Sequence, residues 1–119
     1  MSLLALLQRR ARFVDFVEED IAGFSDADVG AAARAVHDGC RAVVREHFTL
    51  APARDESEGA TISIEEGYDA GRVKLVGAVG KPPWRGALRH RGWVVSAARM
   101  PELLAGADPS VLAPAEVET

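Results

Sequence analysis

At Pro52 the hydrophobic pattern of this chain changes period, and that change restricts the fold more than any other feature of the sequence. Before it, Leu3, Leu6, Leu7, Phe13, Val14, Val17, Ile21 and Phe24 recur at steps of three and four, the spacing of one face of an α-helix. Gly23 is the expected stop. Ser25 then stands where an N-cap belongs, with Asp26 and Asp28 in the turn where the helix dipole favours negative charge. The second helix is therefore expected from about Asp26 to about His47, with Val29, Val36, Cys40, Val43 and Val44 on its apolar stripe. Small residues, Gly30, Ala31, Ala32, Ala33 and Gly39, line much of its early part and would let another element approach closely. So short a gap between two helices favours an antiparallel helical hairpin over residues 1–50.

Beyond Pro52, which stops helical continuation, residues 51–59 are polar and acid-rich through Asp55, Glu56 and Glu58, as in a linker or exposed loop. The period then falls to two, the mark of strands. Ile62 and Ile64 alternate with Thr61 and Ser63, and a second run extends over Val73 to Val79. Gly80-Lys81-Pro82-Pro83 reads as an extended loop. Trp84 to Arg89 and Trp93 to Met100 read as the arms of a hairpin, with His90-Arg91-Gly92 as its loop and Gly92 in the left-handed conformation. That loop would set Arg89 opposite Trp93. A last edge strand is expected within Val111 to Val117. The expected fold is α+β: an N-terminal antiparallel helical hairpin followed over residues 60–119 by a small antiparallel β-sheet or SH3-like barrel, the whole chain of 119 residues forming a single domain.

Charge is distributed as unevenly as hydrophobicity. The chain carries a net charge of −4, yet the 32 residues from Ala70 to Pro101 hold seven Lys or Arg and no Asp or Glu. Both tryptophans lie among them, Trp84 and Trp93 beside Arg85, Arg89 and Arg91. If Arg89 faces Trp93, then Arg85, Arg89 and Trp93 share a sheet face, because residues two apart on a strand point the same way. The plainer reading packs Trp93 against the helices with arginine stems around it. The functional reading is an exposed groove for an acidic peptide, a proline-rich segment or a nucleic acid strand, with Lys81 to Trp84 as one wall. The acidic run Asp55, Glu56, Glu58, Glu65, Glu66 and Asp69 would then either neutralise the basic island or mask the groove.

Catalytic and metal chemistry find little support in the residue pattern. His37 and His47 are separated by about 15 Å along a helix axis at 1.5 Å per residue, so with Cys40 they cannot share one ion. GxSxG, phosphate-loop and triad-like patterns are lacking, and Glu65 and Glu66 point to opposite faces of a strand. The expectation is a protein that is not an enzyme and needs no cofactor or metal. A single cysteine allows no intrachain disulfide, which favours a reducing compartment and hence the cytoplasm. The short apolar start has its positive charges, Arg9, Arg10 and Arg12, after it, the wrong order for a signal peptide. No run reaches the roughly 20 apolar residues of a membrane span, so no membrane partner is expected.

Several stretches together, Leu3 to Arg9, Val14-Asp15-Phe16, Glu19 to Asp26, Glu46 to Leu50, Arg89 to Trp93 and Ala113 to Glu118, resemble a bacterial family known only as a domain of unknown function. The resemblance runs over nearly the whole chain and brings no activity, cofactor or catalytic residue with it. Members of the family often carry an extra N-terminal hydrophobic or Ala-rich segment, and their genes can lie beside one for a DnaK-like chaperone. The resemblance therefore implies a trimmed domain and an adaptor or protein-interaction role with such a chaperone as partner. Single-stranded nucleic acid is the alternative partner, with Trp84 or Trp93 stacking on bases and Arg85, Arg89 and Arg91 at phosphates. The Leu-rich face could equally close a homodimer.

Overall fold

Ser2 and Ser25 each begin a helix in the same way, by accepting a backbone N–H three residues on, from Ala5 at 3.1 Å and from Asp28 at 3.1 Å. In the computed structural model, which describes residues 2–77, 80–101, 106 and 108–119, these caps start α1 (Leu3–Ala11) and α3 (Asp26–His47). Between them lies α2 (Phe13–Glu18). The chain divides into two compact units, Met1–Thr49 with Ala97–Thr119, and Leu50–Ser96.

In the first unit the long helix expected up to Gly23 is broken at Arg12 and ends at Glu18. Arg12 takes a left-handed conformation, φ 54° and ψ 36°, and its N–H caps α1 at the Gln8 carbonyl, 2.9 Å away. Such a conformation costs a residue with a side chain roughly 1–2 kcal/mol. Local hydrogen bonds offset it. The Gln8 amide oxygen accepts the N–H of Val14 at 2.9 Å, its nitrogen donates to Asp15 at 2.8 Å, and Arg12 Nε donates to the same Asp15 oxygen at 2.8 Å. The apolar spacing continues across the break, so periodicity alone passes over it.

Helix α3 matches its expected bounds. Ala11 lies against Gly39, where an added Cβ would sit 2.6 Å from the Arg10 carbonyl oxygen and 2.8 Å from Ala11 Cα. With the Arg10–Glu46 ion pair at 2.7 Å, this contact packs α1 against α3. Leu6, Ala11 and Val43 are its buried side chains. Residues around Arg99 close the end of α3. Arg99 donates its N–H to the His47 carbonyl at 2.7 Å, and its guanidinium donates to the Glu46 carbonyl at 3.2 Å and to Thr49 Oγ1 at 3.0 Å. The Arg99 carbonyl can only accept, so His47 Nδ1, 2.7 Å away, carries the proton.

Strands β1 (Phe48–Ala51), β2 (Thr61–Ile64), β3 (Trp84–Ala87) and β4 (Val94–Ala98) form two antiparallel two-stranded sheets, β1 with β4 and β2 with β3. No barrel closes among the described residues. The expected hairpin between Trp84–Arg89 and Trp93–Met100 does not form, because each arm pairs with an earlier stretch of chain instead. Thr61 faces Ala87, Ile62 Gly86, Ser63 Arg85 and Ile64 Trp84.

Beyond β2–β3 the ladder continues irregularly. Leu88 donates to Ala60 at 2.9 Å and accepts from Gly59 at 2.7 Å, while Ala60 donates back to Ser57 at 3.1 Å. Gly59 at φ +89° therefore closes a tight turn and forms the extra residue of a β-bulge opposite Leu88. Farther along, Ala53 and Arg54 donate to Gly92 and Arg91 at 3.3 and 3.0 Å. The acidic segment expected as a linker is thus pinned at both ends, with Asp55, Ser57 and Glu58 exposed between. Phe48–Ala51 is a strand where the end of the helical hairpin, up to Leu50, and the first linker residue, Ala51, are expected. Val73 to Gly77 and Val111 to Val117 form no strand, and Ala78 and Val79 of the expected second strand lie outside the described residues.

Candidate functional site

The β2–β3 register separates the basic and aromatic residues. Residues paired across an antiparallel ladder share a face, so Trp84 lies on the side of Ile64, which is buried, and Arg85 on the opposite side with Ser63. Trp84 is half-buried; its ring meets Tyr68 edge to face at 5.6 Å between centroids, and its indole N–H donates to the Gly80 carbonyl at 3.0 Å. Both its polar and its apolar parts are engaged within the unit. Arg91 is similarly occupied, since Nε donates to the Arg54 carbonyl at 3.2 Å and Nη2 to that of Asp55 at 3.3 Å. These two residues hold the ribbon together.

Arg85, Arg89 and Trp93 are exposed. Arg85 and Arg89 make no ion pair among the described residues. Trp93 is 68% exposed and its strand neighbour Val95 58%. The expected pairing of Arg89 with Trp93 is absent, because Leu88 pairs with Ala60 and Gly92 with Ala53. Gly92, at φ +73° as its left-handed assignment required, also breaks the side-to-side alternation between Arg89 and Trp93. The exposed set is therefore a tryptophan with Val95, and two arginines farther back along the chain.

The same unit carries an open cleft of about 440 Å³ that residue pattern alone does not mark. Arg54, Glu65, Glu66, Tyr68, Asp69 and Arg72 are among its lining residues. The turn at Gly67 to Gly71 beside two glutamates was the available signal, but a cleft needs the Arg54 segment brought alongside. Asp69 accepts from Gly71 N–H at 2.8 Å, and Ser63 donates to Glu65 at 3.3 Å. Glu56 pairs with Arg54, whose hydrogen bonds are the chief cause holding its carboxyl below the usual range. Neutralisation of the acidic run thus comes, at Glu56, from a neighbour two residues away and not from the basic island. His37 is exposed beside Asp38 at 3.3 Å, and no group of three or more His, Cys, Asp or Glu among the described residues could hold a metal. No described helix is long and apolar enough to cross a membrane.

A family model described as a domain of unknown function, DUF2760, matches residues 1–118. The chain belongs to the DUF2760 family. The resemblance carried by the Glu19–Asp26 and Arg89–Trp93 stretches is therefore established over essentially the whole chain. Neither a curated protein nor a solved structure matches it.

Proposed function

We propose that this DUF2760 chain is a non-enzymatic protein-interaction module of the cytoplasm whose contact is centred on Trp93. The exposure of that indole carries the reading. At 68% exposed, a side chain of about 250 Å² forgoes on the order of 4 kcal/mol of burial. Val95 extends the apolar surface along β4, and Arg89 and Arg85 supply exposed donors. Tryptophan and arginine are the residue types that most often dominate binding energy at protein interfaces. A DnaK-like chaperone is the first partner to test, on the gene proximity that the family resemblance brings.

A second reading shares the same residues: Trp93 stacking on a base of single-stranded nucleic acid, with Arg85 and Arg89 at phosphates. The net charge of −4 and the carboxylates around the cleft of the same unit weigh against it. The deciding experiment measures binding of the purified chaperone to the wild type, Trp93→Ala and Arg89→Glu, alongside a lysate pull-down with and without nuclease. Saturable chaperone binding that survives nuclease and is lost in Trp93→Ala is the expected result. Equal binding by wild type and both variants would overturn the reading. Capture that nuclease removes and that falls steeply with salt would establish nucleic acid instead.

A further inference from the structure

The hydrogen-bond phase of the β2–β3 ladder fixes which backbone groups of β3 remain available. The Leu88 N–H donates to the Ala60 carbonyl, which marks these two residues as a bonded position of the ladder, its return bond taken by Gly59 of the bulge. Such pairs alternate with non-bonded ones along an antiparallel ladder, so Gly86 and Trp84 turn their N–H and C=O toward β2, whereas Arg85 and Ala87 turn theirs outward. The sheet has only these two strands, which leaves that outer edge without a strand among the described residues. Arg85, Gly86 and Ala87 are all exposed, and Gly86 has nothing within 4 Å of where a Cβ would stand.

Charge is divided unevenly about this small sheet. The cleft that Ser63 and Ile64 of β2 help to line holds Glu65, Glu66 and Asp69 together with Arg54 and Arg72. On the β3 side stand Arg85 and Arg89, exposed and without a carboxylate among the described residues. An edge strand offers main-chain donors and acceptors to any extended chain, and the charges beside it decide which one.

We infer that β3 accepts an extended acidic segment of a partner protein as a third strand, bonded through the outward N–H and C=O of Arg85 and Ala87 and selected by Arg85 and Arg89. This deepens, and rests on, the reading of the chain as an interaction module. Acidic side chains at alternate positions of the incoming strand would point to the face of Arg85, away from Trp84 and Ile64.

Ala87→Pro tests the backbone contact alone. It removes an outward N–H while leaving the Leu88–Ala60 bond and the β2-facing groups in place, the position on an edge strand where proline is tolerated. The probe is a capped, fluorescently labelled eight-residue peptide of alternating glutamate and valine, titrated by fluorescence anisotropy. Its lysine-for-glutamate counterpart and a form N-methylated along one edge are run beside it. The acidic peptide is expected to bind the wild type, with affinity at least about tenfold lower for the lysine peptide, the N-methylated peptide, Arg85→Glu and Ala87→Pro. Absence of binding by the acidic peptide, equal binding by the lysine peptide, or undiminished binding of the N-methylated form overturns the inference, the last even if Ala87→Pro fails to fold. If Ala87→Pro binds like wild type while Trp93→Ala still loses the chaperone, strand addition falls and the interaction module stands. If neither variant changes anything, both fall.

Discussion

Two glycines of α3 provide a controlled measurement of how closely the helices of the first unit approach. Gly39→Ala places a Cβ 2.6 Å from the Arg10 carbonyl oxygen and 2.8 Å from Ala11 Cα and Cβ, against the 3.4–4 Å of ordinary contact. Two of those three atoms are backbone, so α1 as a whole must retreat by more than half an ångström on the order-of-magnitude scale of a lost methylene contact. Overpacking of this kind costs typically 1–3 kcal/mol, and the gain in helix propensity from glycine to alanine offsets about 1 kcal/mol of it. Gly30→Ala, in the same helix, meets nothing within 4 Å and keeps only the gain. Gly30→Ala should therefore stabilise by up to about 1 kcal/mol, and Gly39→Ala should fall below it by about 1–3 kcal/mol. Urea unfolding followed by far-ultraviolet circular dichroism measures both, and thermal midpoints should separate by roughly 4 °C per kcal/mol. Equal stabilisation by the two substitutions would refute the close α1–α3 contact at Gly39, and with it the packing of these helices as described.

The break at Arg12 should show in the acid limb of stability. Hydrogen bonding from Gln8 foremost, then Arg12, lowers the Asp15 pKa from its ordinary 3.8, so its contribution is full above that value and is lost as pH falls through the lowered native one. Asp15→Asn should consequently be less stable than wild type near neutrality and converge with it in strong acid; a constant difference across a pH series of urea titrations would contradict this. Arg99→Ala removes guanidinium bonds to the Glu46 carbonyl and Thr49, and as these are exposed it should cost about 1 kcal/mol, seen as faster hydrogen exchange at the end of α3. Trp93→Ala, by contrast, should lower unfolding stability by no more than about 2 kcal/mol, since only about a third of the side chain is buried; a larger loss would return Trp93 to the core.

The helices were legible where their determinants are local. Ser25, Asp26 and Asp28 announced the start of α3, and Gly39 among small residues announced a close approach, which the structure places at Ala11. The Arg12 break is equally local, yet it depends on Gln8 and Asp15 side chains meeting, a contact that apolar spacing does not encode. Among the site residues, residue type and a basic island marked Arg85, Arg89, Arg91, Trp84 and Trp93, but not the division between them. Trp84 and Arg91 are bound into the ribbon, whereas Arg85, Arg89 and Trp93 remain in solvent.

By itself, then, the sequence determined two things: helices as far as His47 and strands from Thr61 onward, through short-range sterics, capping and periodicity. Tertiary structure alone decided which strands pair. A three-residue loop at His90-Arg91-Gly92 allowed a local hairpin, but distant partners supplied the observed hydrogen bonds: Thr61–Ile64 for β3, Ala53–Arg54 for Arg91 and Gly92, and Phe48–Ala51 for β4. Each backbone donor needs an acceptor, and an acceptor thirty residues away serves as well as one nearby once buried side chains such as Ile64 and Leu88 fix the register. That non-local choice turned Trp84 inward, left Trp93 in water and gave β3 a free edge.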